Sequence, residues 1–309
     1  RLDMANWLID PTNPLTPRVL ANQVWAHLFG RGIVRTMNDF GLRGEKPTHP
    51  QLLDWLAGEY MRLKWSRKAF IKRIVMSATY RQSSHHQPKM VEIDPRNNLF
   101  HRQNRFRVEA EIIRDLNLSV SGLLSKKVGG PSVFPPMPAD VAALSYAGNF
   151  RWVTSKGEDR YRRGLYTFFK RTSPHPNLSA FDCPDSNTTN VERRASNTPI
   201  QALILLNNEV FVDASQAMAK RLLTKKMASD SDRIAWAFRL CVARLPTSKE
   251  VGNYLDLLET ARKLYKDRPA DAKKMVGGHQ PPDVPASEAA AWVATARILM
   301  NMDEFITRE

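Results

Sequence analysis

Apolar residues in the first eighty positions recur at helical spacing and are punctuated by proline, glycine and hydroxyl caps. Residues 1–8 already alternate as an amphipathic helix would. Thr16-Pro17 places a hydroxyl before a proline at a first helical position, and Val19, Val24, Trp25, Leu28 and Phe29 then fall on one face. Gly30 supplies the stop. A loop rich in glycine and proline fills residues 31–50. Leu53, Leu56, Tyr60 and Leu63 make the stripe of a helix over residues 52–63. Ser66 caps a further helix, whose buried face is Phe70, Ile71, Ile74, Val75 and Ala78.

Residues 82–106 are polar and irregular. Ile112, Leu116, Val120 and Leu123 restore the helical period, and Gly129-Gly130-Pro131 with Pro135-Pro136-Met137-Pro138 break it. Leu165-Tyr166-Thr167-Phe168-Phe169 reads as a strand, with Arg151-Trp152-Val153-Thr154 as its hairpin partner. From Thr198-Pro199 the pattern is helical to the end, over residues 199–223, 231–243, 247–266 and 286–300, with a surface loop at 273–285. The expected fold is mainly α with a small β element near the middle: a multi-helix domain of two helical lobes. Its sub-regions are a basic lobe at 1–128, an irregular segment with the hairpin at 129–197, and a second lobe at 198–309. Because the sequence opens on Arg1, it is expected to continue a longer polypeptide.

Charge sharpens this picture. The 309 residues carry a formal +15, of which residues 1–120 hold +8, residues 121–200 hold +5 and the rest +2. Such an excess favours polyanions, whether nucleic acid, anionic polysaccharide or an anionic surface. No stretch approaches the roughly 18 apolar residues of a membrane span, so none is expected. Cys183 and Cys241 lack CxxC or CxxCH neighbours, so the chain holds no zinc knuckle and no c-type haem attachment; whether the two pair stays open.

Candidate chemistry is sparse. GxSxG, HExxH, Walker and GxGxxG motifs are all missing. Asp39-Phe40-Gly41 resembles a kinase magnesium tripeptide, but no glycine-rich loop, strand lysine or HRD element accompanies it. His49, at the mouth of a helix, could act with Asp39 as proton acceptor or ligand, or fix the loop. His85-His86 lack a ligand partner at helical spacing. Arg107, Glu109, Glu111, Arg114 and Asp115 crowd one helix, where Arg107–Glu111 and Glu111–Arg114 could form salt bridges. Glu109 and Glu111 fall on different helical faces. Asp182 and Asp185 sit in a loop flanked by Lys170-Arg171 and Arg193-Arg194. Weak catalytic candidates are therefore Asp39, His49, Glu109, Asp182 and Asp185. Candidate anion-binding residues are Arg67, Lys68, Lys72 and Arg73, then Lys170, Arg171, Arg193 and Arg194. No metal site is expected.

One set of motifs resembles a known family. It comprises Asn13-Pro14-Leu15-Thr16-Pro17-Arg18-Val19, Phe29-Gly30-Arg31-Gly32-Ile33-Val34, Asn38-Asp39-Phe40-Gly41 and the run from Thr48-His49-Pro50-Gln51. It continues through Ser77-Ala78-Thr79-Tyr80-Arg81, Arg107-Val108-Glu109-Ala110-Glu111, Gly129-Gly130-Pro131-Ser132-Val133, Phe181-Asp182-Cys183-Pro184-Asp185 and Thr198-Pro199-Ile200-Gln201. Together these resemble domain of unknown function 1553, a C-terminal domain of large planctomycete surface or periplasmic proteins. Cys183 departs from the family pattern, where a small residue such as alanine is usual.

The resemblance implies an exported, extracytoplasmic setting and haem-bearing cytochrome c-like modules as neighbours, with no cofactor in this chain. It implies no activity. The expected role is a non-catalytic interaction domain for an acidic partner, an anionic polysaccharide or an acidic protein module, alongside the other domains of the parent polypeptide. A carboxylate-dependent enzyme acting on polysaccharide is the alternative, and nucleic-acid binding ranks below both.

Overall fold

The computed structural model describes residues 1–142 and 151–308; positions 143–150 of the expected middle segment lie outside the description. The described residues form sixteen α-helical segments and one two-stranded sheet, β1 (Phe106–Arg107) with β2 (Thr307–Arg308). The fold is mainly α, 56% helical. It divides into two compact units, residues 1–106 with 190–192, and residues 107–189 with 193–308.

In the first unit, α1 (Leu2–Ile9) buries none of its residues. Helix α2 (Thr16–Phe29) carries Pro17 in its first turn and ends on Gly30, whose φ of 75° is the left-handed cap glycine adopts without strain. Helices α3 (Pro50–Arg62) and α4 (Arg67–Val75) follow, with the Ser66 hydroxyl accepting from Ala69 N at 3.4 Å. Their core is aromatic. Trp25 stacks on Phe29 at 4.0 Å, Phe100 meets Trp25 at 5.2 Å, and Tyr60 stacks on Phe70 at 4.6 Å.

One buried side chain spans the turn after α2. Asn22, 1% exposed, donates Nδ2 to Val34 O and accepts from Val34 N, both at 2.9 Å. A Cβ on Gly32 would lie 2.4 Å from Val34 O and 2.8 Å from the Asn22 amide, so only glycine passes here. Asn22→Ala leaves one buried donor and one buried acceptor without partners, and should cost about 2 kcal/mol in urea unfolding. A loss below about 0.5 kcal/mol would show that Val34 finds other partners.

The second unit is built on α5 (Ala110–Ser121), α6 (Pro199–Asn207), α7 (Glu209–Thr224), α8 (Asp230–Val242), α9 (Ser248–Asp267), α10 (Pro269–Val276) and α11 (Ala286–Leu299). Helix α11 lies against α7, α9 and α10, and its Trp292 is fully buried. Phe211, Met218, Phe238 and Leu258 complete the centre of this core. The unit's first and last segments meet, since Val108 N donates to Ile306 O at 3.0 Å and Arg107 reaches Asp303 at 2.9 Å.

Three expectations are corrected here. Residues 165–169 and 151–154 do not pair as a hairpin. Both lie along residues 133–135 instead: Thr167 bridges Val133 in parallel, Ser155 N donates to Phe134 O at 2.8 Å, and Trp152 Nε1 to Pro135 O at 2.8 Å. Pro135 and Pro136 cannot donate to a ladder, but carbonyls in this stretch accept. The helix expected over 199–223 is two, because Asn208 ends α6 and its side chain caps α7. The surface loop expected at 273–285 gives up its first residues to α10.

Candidate functional site

Three separated motifs of the second unit converge on one hydrogen-bond net. Arg107 Nη1 donates to Gln201 Oε1 at 2.5 Å and to Ser196 O at 3.3 Å. Gln201 is buried in the first turn of α6, where it completes a capping box with Thr198. Its Nε2 donates to Ala180 O at 3.0 Å and Asp182 Oδ2 at 3.4 Å. Asp182, held at a left-handed φ of 61°, also accepts from Ser196 N at 2.8 Å and Ser196 Oγ at 2.7 Å. An oxygen with three donors is fastening a loop, not poised for acid–base work.

Beside this net, Arg193 binds both Glu111 at 2.6 Å and Glu109 at 3.3 Å. The expectation that the two glutamates face apart is overturned. Glu109 is the N-cap residue, with extended φ −68° and ψ 157°, so helical spacing does not govern it. The pairs expected within the helix also do not form. Arg107 takes Asp303, while Arg114 is buried and donates to the carbonyls of Arg160 at 2.7 Å and Arg162 at 3.3 Å. Burial pulls the Arg114 guanidinium down to about 10. Asp115 accepts from Gly164 N at 2.6 Å, and burial raises its carboxyl above the ordinary range.

Cys183 and Cys241 are free thiols. Burial, with the Glu111 carboxylate adding for Cys183, pushes them up to about 11 and about 12, so neither is a thiolate nucleophile at neutral pH. Asp185 is exposed and turned back on Asn187, whose N and Nδ2 hold its carboxyl below the usual range. A second polar contact joins His279 Nε2 to Asp213 at 2.7 Å, with Arg160 at 3.6 Å from the same carboxylate. Among the described residues, no group of three or more His, Cys, Asp or Glu is placed to hold a metal ion.

In the first unit, Asp39 is exposed in a turn where Thr36 Oγ1 donates to its carbonyl at 3.0 Å. His49 stands at the N-cap position of α3 without a side-chain cap bond, its Nδ1 lying 3.0 Å from Thr48 Oγ1; no described hydrogen bond joins it to Asp39. Thus the five acid–base candidates fall into separate local arrangements.

The basic candidates divide as well. Arg73 is held at 3.1 Å by Glu59, which Arg62 also grips with two hydrogen bonds. Arg67, Lys68 and Lys72 are exposed on α4, and among the described residues no carboxylate pairs with them. Arg171 and Arg194 are exposed, Lys170 is half-buried, and Arg193 is committed to its two glutamates.

Sequence reasoning passed over an open pocket of about 540 Å³ lined by Ser83, Ser84, His85, His86, Arg102 and Arg105. Only the adjacent histidines gave a signal.

These features define a mainly α-helical protein of two compact units, in which the acid–base candidates do not gather at one place among the described residues. The model of a protein family of unknown function, DUF1553 (PSD1), matches residues 1–258, and the chain belongs to that family. The match ends inside α9, although α11 beyond it supplies the centre of the second core. No curated protein and no solved structure matches the chain. Among the described residues, no helix is long and apolar enough to cross a membrane.

Proposed function

We propose that the chain is a non-catalytic interaction domain of an exported multidomain protein, and that its first unit binds an anionic polysaccharide. The observation carrying this is the exposed face of α4. Arg67, Lys68 and Lys72 stand unmatched there, in a segment (residues 1–106) with 17 Lys and Arg against 8 Asp and Glu. Such a surface attracts a repeating anion through many weak contacts, each screened by salt. The extracytoplasmic setting and the haem-bearing neighbouring modules come from the family resemblance and form part of the proposal. Carboxylate-dependent catalysis is disfavoured by the bonds that occupy Asp182, Glu109 and Asp185. Nucleic-acid binding has charge alone behind it.

A titration against a sulfated glycan, an uncharged glycan and duplex DNA across salt concentrations tests the reading. The expected result is saturable binding of the sulfated glycan that survives about 150 mM salt, where the screening length is about 8 Å. The Arg67→Ala, Lys68→Ala, Lys72→Ala triple variant should bind about tenfold more weakly with a flatter salt dependence. Unchanged affinity and slope in the variant, or equal salt-erased binding to every polyanion, would overturn it.

A further inference from the structure

Residues 83–86 and 102–105 belong to no long helix, yet backbone, hydroxyl and side-chain amide bonds hold both segments. Gln82 Nε2 donates to Phe100 O at 2.6 Å, Gln103 N to Ser83 O at 3.0 Å, and His85 N to Ser83 Oγ at 3.1 Å. On the other wall, Asn97 is 1% exposed and held at a left-handed φ of 50°. Its Nδ2 donates to Arg102 O and Asn104 Oδ1, both at 2.8 Å, and its Oδ1 accepts from Arg102 N at 3.3 Å. Asn104 Nδ2 in turn donates to Phe29 O at 2.8 Å, which anchors the wall on the stacked Trp25–Phe29 pair.

Between the walls lies the pocket of about 540 Å³, and all six lining residues are Ser, His or Arg. Each carries a side-chain donor and none is a carboxylate. Its volume falls within the range of small-molecule sites, roughly 300–1,000 Å³. A bare tetrahedral ion would leave most of it empty.

We propose that this pocket is a binding site for a sulfate or phosphate monoester carried on a sugar-sized group. The inference rests on the polyanion reading for the sign of the charge and adds a place where one pendant group is selected. The Arg102 guanidinium fork meets an oxyanion through paired N–H···O bonds, and imidazoles and hydroxyls serve the remaining oxygens. The preformed walls lower the ordering cost of binding. A carboxylate, planar and singly charged, uses fewer of these donors and binds more weakly. The α4 face holds a chain by diffuse charge; the pocket holds one ester by directed bonds.

The test is calorimetric titration of the full chain with sodium sulfate, inorganic phosphate, acetate, glucose 6-sulfate and glucose 6-phosphate, at one ionic strength set with sodium chloride. The wild type, Arg102→Gln, Ser84→Ala and the α4 triple variant are compared, with folding checked by near-UV circular dichroism. Saturable oxyanion binding is expected, with acetate weakest. Affinity should fall about tenfold or more in Arg102→Gln, less in Ser84→Ala, and stay unchanged in the α4 triple variant. A tighter 6-sulfate than 6-phosphate assigns the site to sulfate esters; the reverse assigns it to phosphate esters. No saturable binding, or affinity indifferent to Arg102→Gln and Ser84→Ala in folded protein, overturns the proposal. Loss of glycan binding in the triple variant with ester binding retained separates the two readings.

Discussion

Arg162→Ala is expected to lose about 4 kcal/mol of unfolding free energy and to release the loop at residues 127–133. Arg162 is 1% exposed, and among the described residues no carboxylate pairs with it. Its guanidinium donates to Pro131 O at 3.0 Å and Gly129 O at 2.5 Å, and it lies 3.6 Å from the centroid of the Tyr166 ring. Tyr166 closes the circuit by accepting from Gly129 N at 2.8 Å. A desolvated cation over an aromatic face contributes about 2 kcal/mol, and each hydrogen bond to a charged group about 1.5–3 kcal/mol. Arg162→Lys keeps the charge but not the planar fork, so it should recover less than half of the loss. Urea unfolding gives the energy, and hydrogen exchange at Gly129 reports the loop. A destabilisation below about 1 kcal/mol, with Gly129 still protected, would show that the loop holds itself.

Acid should weaken the second unit through one imidazole. His175 is 2% exposed, its Nε2 is 2.9 Å from Pro136 O, and its Nδ1 accepts from Asn177 N at 3.2 Å. Those partners require the neutral ring with its proton on Nε2. Burial, helped by the nearby Arg114 charge and opposed by the Pro136 bond, pushes the group down to about 4 from 6.5. The unfolded chain therefore takes up this proton first. The stabilisation is present above pH 6.5, is lost as pH falls from 6.5 towards 4, and changes no further below that. A gap of this size corresponds to about 3 kcal/mol. Since carboxylates also titrate in acid, the measurement is the difference between wild type and His175→Gln at pH 7.5 and pH 4.5. That difference should shrink by about 2 to 3 kcal/mol as the pH falls. A constant difference would place the acid sensitivity elsewhere.

The helices were legible where caps and periodicity agreed. Pro17, Ser66 and Gly30 mark their ends in the sequence as they do in the fold. Thr16 instead lies inside α2 and caps nothing; the backbone amides of Leu15 and Thr16 donate to Asn13 Oδ1. Asn208 was hidden because apolar residues continue on either side of it, so one long stripe masked a stop and a start. Pro269 after Arg268 was a start signal for α10, outweighed by the glycines and prolines that follow. Asp182 was visible as part of a charged loop. Its partner Gln201, 19 residues on, could be found only in three dimensions. Glu109 misled because a cap residue looks helical in a helical repeat. The pocket left almost no trace, since Arg102 and Arg105 meet Ser83–His86 across irregular chain without a period.

Arg107 and Asp303, bonded to each other, are separated by 196 positions. A chain made from its N-terminus must therefore carry Arg107 without this partner until residue 303 has emerged. The first unit has all of its helices by residue 106 and has no such wait. Synthesis thus yields an ordered half trailed by one whose closing bond comes last, and that half offers its apolar helices to chaperones for longest. Its two ends also lie side by side. A new break in the second unit with those ends joined, or a guest domain spliced between them, would leave the architecture in place.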